Sequence, residues 1–72
     1  MTKTEFISDI KNHLKTKKNE WYNKRIEVDG KNVGLKFYGK NVQKLEIDGL
    51  DRGGLWDIAT QKKMIEYITK DI

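Results

Sequence analysis

The chain has 72 residues and no cysteine, enough for one domain with a small core, and too poor in thiols for disulfides or a cysteine-based zinc site. Fifteen Lys and Arg against eleven Asp and Glu give a formal charge of +4. The charges are interleaved rather than segregated, which permits nucleic-acid contact without demanding it.

No apolar run reaches the length of a membrane span or a secretory signal. The expectation is a soluble protein of a reducing compartment, the cytoplasm, with no membrane partner.

Thr2-x-x-Glu5 is a capping-box pattern placed just before an apolar series. Phe6, Ile7, Ile10 and Leu14 recur at helical spacing, and Lys15, Lys17 and Lys18 suit the negative end of a helix dipole. A first helix is predicted from about Lys3 to about Lys18. His13 lies at the edge of the stripe, where partial burial is expected; with no second His, metal binding is disfavoured.

Asn19 to Asn23 reads as a link. From Lys15 to Arg25 the chain carries five cations, one acid and the aromatics Trp21 and Tyr22. Such a mixture suits a phosphate backbone and stacked bases, or a protein interface anchored by Trp and Arg. The alternative is that Trp21 or Tyr22 closes the end of the core.

Between Arg25 and Ile47 three short runs alternate apolar and polar residues, the pattern of half-buried strands. Ile26 and Val28, then Val33, Leu35 and Phe37, then Leu45 and Ile47 supply the apolar face. A type II′ turn at Gly30-Lys31 would pair Val28 with Val33 and Ile26 with Leu35. A three-residue loop at Gly39-Lys40-Asn41 would pair Leu35 with Leu45 and Val33 with Ile47, leaving Tyr38 opposite Val42 on the other face. That register puts Arg25, Lys36 and Lys44 in one row beside Tyr38. The row reads as a basic stripe for phosphates or carboxylates, or as one neutralised diagonally by Glu27 and Glu46.

Asp48 to Trp56 holds three glycines and reads as a loop. Arg52-Gly53-Gly54 would suit an anion nest or, more simply, a turn that redirects the chain. Leu50, Leu55 and Trp56 either plug the core or form a contact patch. A second helix is predicted from Asp57 or Thr60, with Ile58, Met64, Ile65, Ile68 and Ile72 inward and Lys62, Lys63, Glu66 and Lys70 outward.

Catalytic chemistry finds little material. One His, one Ser (Ser8) and no Cys offer no triad. Asp48, Asp51 and Asp57 match no cation-ligand spacing, and there is no phosphate-binding or dinucleotide motif. No catalytic residue, metal or cofactor is expected.

The order helix–strand–strand–strand–helix, with Thr60-Gln61-Lys62-Lys63 opening the second helix after Arg52-Gly53-Gly54, resembles the double-stranded RNA-binding domain. The first hairpin lacks that family's Gly-Pro-x-His. The resemblance implies direct nucleic-acid binding through Lys17, Lys18, Lys24, Lys62 and Lys63. In size, lysine content and layout the chain also resembles small phage-encoded host-takeover proteins, anti-CRISPR proteins among them. That likeness implies an inhibitor in the host cytoplasm that docks on a host protein or protein–nucleic acid complex.

The expected fold is α+β, αβββα, a three-stranded antiparallel meander with two helices packed on one face. The leading functional expectation is a non-catalytic, protein-directed binding module. Trp21, Tyr38 and Trp56 would anchor it, and Arg25, Lys36, Lys44 and Arg52 would steer it to an acidic surface. Direct nucleic-acid binding is the alternative, and a homodimer a third reading.

Overall fold

The computed structural model describes residues 1–39, 41–51 and 61–72. The expectations placed on Lys40, on the Arg52-Gly53-Gly54 nest, on Leu55, Trp56 and Ile58, and on a cap at Asp57 or Thr60 lie outside the described residues.

The first helix, α1, spans Lys3–Thr16. Thr2 Oγ1 accepts the Glu5 N–H at 3.1 Å and the Glu5 carboxylate accepts the Thr2 N–H at 2.9 Å, the reciprocal capping box. A further free N–H of the first turn, that of Lys3, donates to the Asp29 carboxylate at 2.8 Å. Phe6 and Ile10 are fully buried, and Ile7 and Leu14 pack at the margin of the core. The helix ends two residues before Lys18, because the Glu20 N–H closes a turn onto the Lys17 carbonyl and the chain passes directly into a strand.

Strand β1 covers Trp21–Val28, four residues earlier than the alternation of aliphatics indicates. Tyr22, Lys24, Ile26 and Val28 share its inner face. Lys24 interrupts the apolar pattern, yet its ammonium is carried out to Asp9 at 2.7 Å, so the strand tolerates it.

The first hairpin joins β1 to β2, Lys31–Tyr38. Its turn is Asp29-Gly30 rather than Gly30-Lys31. Both turn residues have positive φ, 48° and 82°, the type I′ conformation that matches strand twist. The register is Val28 with Lys31, Ile26 with Val33, Lys24 with Leu35 and Tyr22 with Phe37. This differs by two residues from the pairing expected for a type II′ turn, so every side chain keeps its face. Lys31 can oppose Val28 because its Nζ leaves the core to donate to the Asp71 carbonyl at 2.9 Å.

The second hairpin leads to β3, Asn41–Ile47. Val33 pairs with Ile47, Leu35 with Leu45 and Lys36 with Lys44, as expected. A β-bulge follows: Gln43 has no opposite number, and Phe37 pairs with Val42 and Tyr38 with Asn41. Val42 therefore lies in the core rather than on the outer face beside Tyr38. The extra residue reverses the alternation, which lets Val42 and Leu45 both point inward.

Asp48-Gly49, with φ of 52° and 81°, forms a second type I′ turn where a loop was expected to begin. It opens a two-residue strand β4, Leu50–Asp51, and the sheet order is β1-β2-β3-β4. The second helix, α2, spans Gln61–Asp71. Met64 and Ile68 are buried, Tyr67 and Ile72 pack at the core margin, and Lys62, Lys63, Glu66 and Lys70 are exposed. Its last turn meets the first turn of α1, where Lys3 Nζ donates to the Thr69 carbonyl at 3.2 Å. Cations at these carbonyls complement the helix dipole.

The fold is thus α+β, an open antiparallel sheet with both helices on one face. Phe6, Ile10, Met64 and Ile68 from the helices close over Tyr22, Val28, Val33, Leu35, Phe37, Val42, Leu45 and Ile47 from the sheet. No described residue covers the other face with a second layer.

Candidate functional site

The uncovered face is built from alternate residues of β1, β2 and β3, with Asp51 added from β4. Register sets its rows: Trp21 and Tyr38 with Asn41; Asn23, Lys36 and Lys44; Arg25, Gly34, Glu46 and Asp51; Glu27 and Asn32.

Trp21 and Tyr38 are directly opposed, and their rings sit 5.2 Å apart at 51°. Trp21 remains 49 % exposed. The Lys36 ammonium, one row away on the diagonal, lies 5.2 Å from the Trp21 ring centre, a cation–π contact. Lys44 stands opposite Lys36.

Arg25 falls in the next row, not in line with Lys36 and Lys44, because of the two-residue difference in the first hairpin. Its Nη1 crosses Gly34 to reach Glu46 Oε2 at 3.2 Å, and Lys44 Nζ meets Glu46 Oε1 at 3.0 Å. Lys44, and after it Arg25, hold the Glu46 carboxyl below the usual range. The three-cation row expected from the sequence is therefore a split set, with two of its members tied to Glu46. The face is polarised as a result. Trp21, Tyr38, Lys36 and Lys44 gather at one end, and Glu27, Glu46 and Asp51, with Arg25 among them, lie toward the other.

Arg52 and Trp56, also expected on this surface, lie outside the described residues. The five lysines of the nucleic-acid alternative are spread over three elements. Lys17 and Lys18 occupy the turn after α1, Lys62 and Lys63 open α2, and Lys24 points to the helix side of the sheet, bonded to Asp9.

One cluster was not anticipated. Tyr22 stacks on Phe37 with centroids 4.8 Å apart, and the His13 ring stands edge-on to both, at 5.1 and 5.5 Å. His13 Nε2 donates to the Glu20 carbonyl at 2.9 Å. The Tyr22 hydroxyl donates to Asp9 at 2.8 Å, alongside Lys24. Lys24, and then Tyr22, hold the Asp9 carboxyl below its ordinary value, while burial, and then Asp9, push the Tyr22 phenol up. Each polar group already has a partner, so the cluster reads as the clamp between α1 and β1. The four-residue interval between Asp9 and His13 was the available signal, since it sets both on one side of the helix.

No helix among the described residues is long and apolar enough to cross a membrane. The chain matches no protein-family model, no curated protein and no solved structure.

Proposed function

We propose that this chain is a non-catalytic docking module that binds another protein through the open face of its sheet. Trp21 and Tyr38 would enter an apolar recess of the partner, and Lys36 and Lys44 would meet acidic residues at its rim. The observation that carries this reading is the half-exposed Trp21, held between Tyr38 and Lys36 on a face without a covering layer. A large ring fixed by neighbours has little freedom left to lose on binding, which is why Trp so often anchors interfaces. The charge gradient along the face supplies orientation. Docking would itself be the activity, by occluding the partner's surface, as the likeness to small phage-encoded inhibitors implies.

The test is affinity capture from the cell of origin with three baits: the native chain, Trp21→Ala and Lys36→Glu. The expected result is one stoichiometric protein partner retained by the native chain and lost by both variants, with circular dichroism unchanged. Equal capture by all three would refute the reading. A salt-sensitive shift of RNA or DNA, lost in Lys62→Glu/Lys63→Glu, would replace it with direct nucleic-acid binding.

A further inference from the structure

The outer edge of β1 is a strand edge left open over a defined length. The Glu27 carbonyl faces away from β2, since it receives the Met1 amino group at 3.4 Å, and the Asp29 N–H turns the same way to donate to the Met1 carbonyl. Peptide groups alternate along a strand, so those of Trp21, Asn23 and Arg25 also face outward. Met1 closes one end of this edge. His13, bonded to the Glu20 carbonyl, closes the other. Between them, no described residue pairs with the outward groups of Trp21, Asn23 and Arg25. Two hollows flank the edge beside α1, one lined by Asp9, His13, Trp21 and Lys24, the other by Met1, Thr4, Ser8 and Asn12.

We infer that this edge pairs with the same edge of a second copy, antiparallel, about a two-fold axis through Asn23. The open stretch from Trp21 to Arg25 has Asn23 at its centre, so an axis there uses all of it. That register sets Trp21 against the partner's Arg25 on the outer face and Tyr22 against the partner's Lys24 on the inner face. Lys24 already lies beside a tyrosine ring in its own chain, Arg25 would turn from its exposed contact with Glu46 to reach the partner's Trp21, and Asn23 meets its own counterpart. Other registers are poorer. An axis at Lys24 opposes Lys24 to itself, and one at Arg25 does the same to Arg25, both unfavourable. An axis at Tyr22 leaves Arg25 beyond the end of the partner strand.

An inward-facing lysine on an edge strand commonly discourages such pairing. Here Lys24 already lies 5.2 Å from the centre of its own Tyr22 ring, and the partner's Tyr22 continues that environment. Thr4, Ser8 and Asn12, spaced by four along the flank of α1, have side chains short enough for the partner's α1 to approach. The sheet would then run through both copies and bring their Trp21–Tyr38 pairs onto one surface. The inference rests on the backbone of the edge rather than on the face, and its tests at Asn23 leave Trp21, the anchor of the docking reading, unchanged.

Sedimentation and a cysteine probe test it. The native chain is expected to rise from 8.5 kDa toward twice that mass as concentration increases. Asn23→Pro removes an outward N–H and no bond to β2; it is expected to stay monomeric with an unchanged circular dichroism spectrum. In this cysteine-free chain, Asn23→Cys is expected to form a covalent dimer on mild oxidation, because directly opposed residues fall within disulfide reach. Glu66→Cys, on the exposed face of α2, is expected not to. A native chain that stays monomeric at millimolar concentration would overturn the inference and leave the edge to an extended segment of another protein. An Asn23→Pro dimer as stable as the native one would overturn it too, as would a dimer that Asn23→Cys does not cross-link. If Asn23→Pro fails to fold, the cross-link decides alone.

Discussion

The guanidinium of Arg25 lies over Gly34, its Cζ 3.4 Å from where a Cβ on that glycine would stand. Gly34 is a gap in the side-chain row through which Arg25 reaches Glu46 on the far strand. Its φ is not in the left-handed region, so the backbone does not demand glycine there.

Gly34→Ala is therefore expected to be neutral or to stabilise by about 0.5 kcal/mol, because the unfolded chain loses freedom. The new methyl meets only the mobile end of Arg25, and an exposed ion pair contributes less than about 1 kcal/mol. Urea denaturation provides the measurement. A loss above about 1 kcal/mol would mean that the Arg25–Glu46 pair contributes far more than its exposure allows.

The same substitution at Gly30 has the opposite sign. Gly30 has φ of +82° with nothing within 4 Å of its would-be Cβ, so the cost is backbone strain rather than crowding. Gly30→Ala is expected to lower stability by about 1–2 kcal/mol, as is Gly49→Ala, at φ +81° in the second type I′ turn. Comparing the three glycine variants in one denaturation series separates conformation from contact.

These turns also show how far the sequence could be read. The apolar face was legible, because a period of two needs only the residues themselves. A type II′ turn at Gly30-Lys31 and a type I′ turn at Asp29-Gly30 differ by two residues and so keep that face, although the second opposes Val28 to Lys31, which from sequence told against it. What separates them is tertiary: Asp29 accepts the Lys3 N–H, and Lys31 reaches Asp71. The bulge at Gln43 was hidden for a similar reason, since only the core shows that Val42 gains more by turning inward. Of the candidate site, Arg25, Lys36, Tyr38 and Lys44 were legible as one surface. The contact of Trp21 with Tyr38 was not, because Lys24 masked the first half of β1.

Val42 provides a direct check on that bulge. It is 1 % exposed, so Val42→Ala is expected to cost about 2 kcal/mol from lost burial and the cavity left behind. Gln43, exposed and without a partner, is expected to accept Ala within about 0.5 kcal/mol. The reverse ordering would restore the three-residue loop and place Val42 on the outer face.

Acid should loosen the clamp between α1 and β1. Lys24 and Tyr22 hold the Asp9 carboxyl below the ordinary value of 3.8. A depressed folded-state value stabilises the protein at pH above the unfolded value. That contribution falls away as the pH drops through 3.8 and is lost below the folded value. Glu46 and Glu5 are shifted the same way and add to the same limb. Asp9→Asn is expected to lower stability at neutral pH and to flatten its fall below pH 3.8, as read from thermal midpoints across an acid series. A fall of unchanged steepness would show that Asp9 takes no part.

Trp21 and Tyr22 are neighbours in sequence with opposite orientations, and their variants should part company. Tyr22 is 3 % exposed, stacks on Phe37 and donates to Asp9, so Tyr22→Ala is expected to cost 3 kcal/mol or more, about the loss from deleting a buried ring. Trp21 sits outside the core and loses only its contacts with Tyr38 and Lys36, each about 1 kcal/mol. Trp21→Ala should therefore leave a folded protein, with a thermal midpoint lowered far less than that of Tyr22→Ala, and with the proposed docking abolished. The two readouts belong together. If Trp21→Ala destabilised the chain as much as Tyr22→Ala, the indole would be part of the core and the open face would lose its anchor.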